Sequence, residues 1–186
     1  MQRSEMFKVV AYTDFLTLED GLLEYAQEQT SEKTLERSNV GGNHSKDFYT
    51  IENESVRRTF VSISDRVQKI TEEFGMKHNP TLMNYWFIRN RRGDYNKSHC
   101  HPFCNFSGVL YLKVPSNSGK IVFERPDPQP EWFRLEKFNE LTFETYHFNP
   151  KPGLLVLFPA YLRHYVEQNR TEDEDDERIC MSFNFS

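Results

Sequence analysis

Two histidines spaced two residues apart, His99 and His101, lie within the run Asn96-Lys97-Ser98-His99-Cys100-His101-Pro102. In an extended chain, residues i and i+2 point to the same face. Both imidazoles can therefore reach one metal ion while Cys100 turns away. A third histidine, His164, follows Phe158-Pro159 far downstream. The spacing predicts a mononuclear metal site of His99, His101 and His164 inside a β-barrel. Imidazole ligands with open positions suit Fe, Zn, Cu or Ni. The competing reading is a hydrogen-bonded histidine pair at a strand end. His44, His78 and His147 carry no comparable pattern.

The last stretch of chain alternates. Ile179, Met181, Phe183 and Phe185 fall on one face, and Arg178, Cys180, Ser182 and Asn184 on the other. An arginine on the inward face of a barrel strand needs an anionic partner, because a buried unpaired charge is costly. Its planar fork matches a carboxylate. Two partners fit: a small dicarboxylate ligand, or the protein's own acids at residues 172–177, Glu-Asp-Glu-Asp-Asp-Glu. That acidic run reads as a solvated loop between strands, because the spaced oxygens and glycine turn of a calcium loop are missing.

These residues need a scaffold, and the pattern supplies one. Phe15, Leu18, Leu22, Leu23 and Ala26 predict a helix over residues 18–30, with Thr17 as N-cap and Asp20 at N3. Residues 7–11 read as a short strand and residues 31–45 as a polar loop. Val56, Phe60, Ile63, Val67, Ile70 and Phe74 are spaced 4, 3, 4, 3 and 4, which predicts one helix over residues 54–73 with an apolar stripe packed on the protein's own sheet. Gly75 is its natural stop. After Pro80, short strands follow at residues 81–89, 107–114, 120–124, 140–148, 154–158, 164–167 and 178–185, with a break at 126–130 and turns at 116–119 and 149–153.

Helices first and strands after suggest a mainly β, α+β chain, with a jelly roll or sandwich carrying the helices outside one sheet. At 186 residues the prior is a single domain over 1–186, with a mainly helical part to residue 80 and a β-barrel core from 81. Aromatics at 15% of the chain favour β structure, and 27% charged residues place it among soluble globular proteins. A formal charge of −5 argues against a general nucleic-acid binder; Arg89, Arg91 and Arg92 leave nucleic acid a role only as a substrate. Three cysteines without framework spacing point to reduced thiols. No run reaches the ~20 apolar residues of a membrane span. The expected location is the cytoplasm, that of the host if a phage encodes the chain. A homodimer is left open.

Together these motifs carry a resemblance. His99-Cys100-His101, a long gap, Phe158-Pro159 leading to His164, then Arg178-Ile179-Cys180 resembles the Fe(II)- and 2-oxoglutarate-dependent oxygenases, whose pattern is His-x-Asp/Glu, a distant His, then Arg-x-Ser. Gly93 and Tyr95 resemble the prolyl-hydroxylase-like branch. The chain looks closest to an oxygenase subfamily of bacteria and cyanobacterial phages. That subfamily is similar in His-x-His-Pro followed by Ser-Gly-Val-x-Tyr (Ser107 to Tyr111), in Gly41-Gly42-Asn43-His44-Ser45, and in the closing Arg178 to Asn184.

The resemblance implies a double-stranded β-helix with iron on His99, His101 and His164. It implies Arg178 on the distal carboxylate of 2-oxoglutarate, with Tyr111, Asn96 and Cys180 as further contacts to that cosubstrate. The reaction would consume O2, hydroxylate a substrate and release succinate and CO2. Two residues depart from the common pattern: His101 stands in place of a carboxylate, and Cys180 in place of serine. A second reading is a three-histidine cupin-type dioxygenase or metal-binding protein that uses no keto acid. Gly93 followed after five residues by His99-x-His101, and Gly153 followed by Pro159 and His164, resemble the two cupin motifs. A third is a non-catalytic, partner-binding barrel. All three keep the same barrel.

Overall fold

The stripe from Val56 to Ile70 forms one long helix in the computed structural model, which describes residues 2, 8–32, 35–127 and 135–186. In chain order, β1 (Tyr12–Phe15) and α1 (Leu22–Gln29) precede two short strands, β2 (Asn39–Val40) and β3 (Asn43–His44). Then come α2 (Glu54–Glu73), β4 (Leu82–Asn90), β5 (Tyr95–His99), β6 (Phe106–Lys113), β7 (Ile121–Glu124), β8 (Thr145–Phe148), β9 (Leu154–Pro159), β10 (His164–Val166) and β11 (Arg178–Phe185).

Local chemistry sets the ends of α2. Asn53 accepts a hydrogen bond from the Val56 amide at 3.1 Å, the N-cap arrangement that satisfies a first-turn donor. Gly75, at φ +65°, takes the left-handed turn after the last residues. Val56, Phe60, Ile63, Val67 and Ile70 are buried as the stripe requires, each side chain contributing about 1.5–3 kcal/mol. Phe74 is half exposed and meets Phe106 edge-on. Helix α1 begins later than its spacing suggests. Its N-cap is Gly21 in a left-handed conformation with no side-chain cap, so neither Thr17 nor Asp20 starts it.

The strands form two antiparallel sheets. One has six strands in the order β1-β9-β6-β11-β4-β3, and the other five in the order β2-β5-β10-β7-β8. Parity sorts the side chains of β9: Leu155 and Leu157 join Ile179, Met181, Phe183 and both helices in one core, while Leu154, Val156 and Phe158 join Tyr111, Phe123 and Cys180 between the sheets. The helices thus cover the outer face of the larger sheet, and the inner faces enclose the site. This is the mainly β, jelly-roll arrangement expected.

Several elements differ from the sequence reading. The part before residue 80 also contributes β1, β2 and β3, which extend both sheets. The first strand lies at Tyr12–Phe15 rather than residues 7–11, of which residue 7 is outside the described residues. The strand expected over 140–148 is confined to Thr145–Phe148. Of the break at 126–130, residues 128–130 lie outside the described residues. No helix among the described residues is long and apolar enough to cross a membrane.

Candidate metal and cofactor site

His99 is the last residue of β5 and His164 the first of β10, and the two are direct partners in the β5–β10 pairing. His101 lies just beyond the strand end, so the pair straddles it rather than sharing one strand face. Its backbone amide donates to Ala160 O at 2.9 Å, which keeps the chain extended there. One nitrogen from each of the three imidazoles falls within 4.8 Å of the others. His101 Nε2 and His164 Nε2 are 3.4 Å apart, and the rings of His99 and His164 are 4.3 Å apart.

Backbone carbonyls fix the tautomers. His99 Nδ1 donates to Lys97 O at 2.8 Å and His164 Nδ1 to Leu162 O at 2.9 Å, because a carbonyl can only accept. The Nε2 lone pairs of His99 and His164 are left free for a metal, as in histidine ligands whose other ring nitrogen donates to a backbone carbonyl. Burial favours the uncharged form. It pushes His164 down to about 3, helped by the neighbouring imidazoles, and His101 down to about 4, helped by His99. Burial also lowers His99. Three converging neutral imidazoles suit a divalent transition metal, so the donor set fits Fe(II). Trp86 stacks on His101 at 5.9 Å and on His44 at 5.8 Å, fixing one wall.

A cavity of about 480 Å³ holds this triad together with Arg178, Tyr111, Asn96 and Cys180, a volume in the range of small-molecule sites. Arg178 is 2% exposed. Its Nη1 donates to Ser118 O at 2.7 Å and Gly119 O at 3.1 Å. Among the described residues, Nε and Nη2 have no hydrogen bond and the guanidinium no salt bridge. The acids at 172–177 turn elsewhere: Glu177 faces Arg89 and Arg91, and Glu174 faces Arg92. Gly119, at φ +83°, allows this packing; a Cβ there would lie 2.3 Å from Glu167 O and 3.1 Å from Arg178 Nη1.

Tyr111 sits opposite Cys180 in the β6–β11 register. Burial raises the Tyr111 hydroxyl and the Cys180 thiol against the opposing pull of Arg178, so both stay protonated. Asn96 accepts from Asn90 Nδ2 and donates to Ser38 Oγ, each at 3.3 Å. The structure therefore gathers the three histidines, Arg178, Tyr111, Asn96 and Cys180 into one cavity.

It adds His44, Trp86, Asn84 and Asn184, which sequence reading left without a role. For His44 the one available signal was its place in the Gly-Gly-Asn-His-Ser element.

A family profile described as "Putative 2OG-Fe(II) oxygenase" matches residues 84–184, more than half of the chain. The chain belongs to the 2OG-Fe(II) oxygenase family. It is thus an oxidoreductase of a class that works with Fe(II), 2-oxoglutarate and O2 on a further substrate. No curated protein gives a significant match.

Solved structures share the fold at low identity. A prolyl-4-hydroxylase from Pseudomonas putida superposes with a TM-score of 0.67 at 16% identity, over 95% of this chain and 92% of that one. A 2OG-Fe(II) oxygenase-family oxidoreductase from Burkholderia pseudomallei gives 0.62 at 15% identity, over 94% and 84%. The viral collagen prolyl hydroxylase of Paramecium bursaria Chlorella virus-1, in its 2OG complex, gives 0.61 at 13%, over 94% of each chain. At such identities the likeness is one of fold.

Proposed function

We propose that this oxygenase hydroxylates its substrate with release of succinate and CO2, using His99, His101 and His164 to hold Fe(II) and Arg178 to hold 2-oxoglutarate. The observation that carries the reading is Arg178. A buried guanidinium with three N–H groups unengaged lines the same cavity as three converging neutral imidazoles. A buried cation without a carboxylate partner is costly, and a dicarboxylate cosubstrate removes that cost.

When bound, Fe(II) with 2-oxoglutarate and O2 supplies oxidative decarboxylation coupled to hydroxylation. The chain's share is positioning and shielding. Arg178, held by Ser118 O and Gly119 O, presents its remaining donors to the distal carboxylate. Tyr111, kept protonated by burial, is a donor beside it. Cys180, kept as a thiol, places no negative charge against the carboxylate. Asn96, tied to Asn90 and Ser38, is fixed as a polar wall. Phe158, Val109 and Ile121 exclude water. Because His101 adds no charge where the common pattern has a carboxylate, both the metal and Arg178 draw the dianion.

The test is calorimetric titration of 2-oxoglutarate into Zn(II)-loaded protein. Arg178→Ala should weaken binding by at least about 30-fold, since truncating one partner of a buried charge pair costs about 2–5 kcal/mol, while metal content stays at one equivalent. Loss of metal and ligand together would make Arg178 structural. Equal binding by the variant would show that Arg178 does not hold 2-oxoglutarate, and no binding by the parent would favour the three-histidine reading without a keto acid.

A further inference from the structure

The inward residues of β11 run in the order Arg178, Cys180, Ser182, Asn184, about 6.6 Å apart along the strand. They face Asn90, Ile88, Trp86 and Asn84 on β4. Since Trp86 stacks on His101, the histidine triad sits near the level of Ser182 and Trp86. Arg178 lies two steps to one side. One step to the other side are Asn184 and Asn84, both lining the cavity and both without a part in holding the metal or the keto acid.

This far end is polar by construction. Ser107 Oγ donates to Asn184 Oδ1 at 2.7 Å, and Asn184 Nδ2 donates to Asn84 Oδ1 at 2.9 Å. Ser107 is 1% exposed and the two asparagines 7% each. Three polar side chains inside a barrel cost stability unless they are hydrogen-bonded. The relay satisfies the first two and ends on Asn84 Nδ2, whose two N–H groups have no partner among the described residues. Among the described residues, the charged side chains lining the cavity apart from Arg178 are Arg37 and Asp47, which pair with each other at 2.5 Å. Among the described residues no free cation is left for an anion at this end, while Met83, Val109 and Phe158 offer apolar walls.

We propose that the Asn84 end of the cavity is the substrate subsite, and that it recognises a neutral amide carbonyl oxygen, which accepts from Asn84 Nδ2. The substrate class is then an uncharged, amide-bearing compound or side chain rather than a carboxylate or phosphate. The proposal rests on the reading that the triad holds the metal, because that is what divides the cavity into two ends.

The test uses nitrogen–proton spectra of the asparagine side-chain amides in Zn(II)-loaded protein, with the Asn84 signal assigned by its loss in Asn84→Asp. N-methylacetamide should shift the Asn84 amide more than sodium acetate does at equal concentration. Asn84→Asp keeps the oxygen that Asn184 Nδ2 donates to and removes the donors. In that variant the Asn184 amide should respond to methylammonium and no longer to N-methylacetamide. A shift with acetate as large as with N-methylacetamide, no shift with either, or an unchanged amide response in Asn84→Asp would overturn the proposal. The response of the Arg178 Nε signal to 2-oxoglutarate reports separately on the cofactor end, so either reading can fail alone.

Discussion

The guanidinium of Arg163 donates to both the hydroxyl and the carbonyl oxygen of Ser98, at 3.1 and 3.3 Å. Each residue immediately precedes a histidine of the triad. Glu124 on β7 completes the clamp, accepting from Ser98 Oγ at 2.9 Å and from Arg163 Nε at 3.4 Å. The strand pairing it reinforces is thin: β10 has three residues, and its register against β5 shifts after His164.

Arg163→Ala should therefore loosen the metal more than the fold. An exposed ion pair contributes ~0–1 kcal/mol to stability, whereas loss of a group that orients metal ligands lowers affinity by about 10–100-fold. Chelator competition for Co(II), set beside a thermal melt of the metal-free protein, separates the two. A drop in melting temperature with unchanged metal affinity would show that the clamp does not set the spacing of His99 and His164.

Gly119 is predicted to govern the position of Arg178. Gly119→Ala forces a side chain into a left-handed conformation, against Glu167 O and Arg178 Nη1. The expected cost is about 1–3 kcal/mol of stability, with weaker 2-oxoglutarate binding in the molecules that remain folded. Denaturant unfolding and ligand titration of the folded fraction check both parts. Full-affinity binding would mean that Arg178 does not need this packing.

The pH dependence of the metal-free protein follows from its buried imidazoles, and His44 offers a clean case outside the triad. Burial lowers its pKa below the ordinary 6.5, outweighing the pull of Ser45 O, which its Nδ1 contacts at 2.6 Å. Below 6.5 the unfolded chain binds a proton that the folded one refuses, so the unfolded state gains as pH falls. The stability from a neutral His44 is complete above 6.5 and is lost on acidification towards its folded value. Urea midpoints between pH 7.5 and 5.5 should fall less steeply for His44→Gln than for the parent. Identical slopes would place His44 in a solvated setting.

Helix α2 gives a direct contrast in packing. Ile63 is fully buried against the larger sheet, while Val61 is 56% exposed. Ile63→Ala should cost about 2–5 kcal/mol, and Val61→Ala no more than about 0.5 kcal/mol. Chemical denaturation of both variants reads the difference, and similar losses would mean that the stripe is misplaced.

That stripe was legible because helical spacing and burial coincide over 20 residues. The β11 alternation was legible for the same reason at period two, and it placed Arg178 and Cys180 on the inner face before any fold was known. The short strands β2 and β3 were not. Two residues have no periodicity, and Asn39–Val40 and Asn43–His44 are strands only because β5 and β4 pair with them. The start of α1 was misread because Thr17 and Asp20 suit a cap by type, whereas the chain turns at Gly21. The triad could be read from residue type and spacing. The Ser107–Asn184–Asn84 relay could not, because its members are up to 100 residues apart and meet only across β6, β11 and β4. Nor could the loneliness of Arg178 be read beforehand, since its acidic neighbours in sequence turn to Arg89, Arg91 and Arg92 in the fold.

The proposed function requires three histidines and one arginine to bring Fe(II) and 2-oxoglutarate into one site. Its most direct test is anaerobic titration of 2-oxoglutarate into the Fe(II)-loaded protein, followed by visible absorption. A metal-to-ligand charge-transfer band is expected that saturates at one equivalent, fades on admission of air as succinate forms, and is absent from His101→Ala. No band and no succinate, in protein that holds one equivalent of iron, would contradict it.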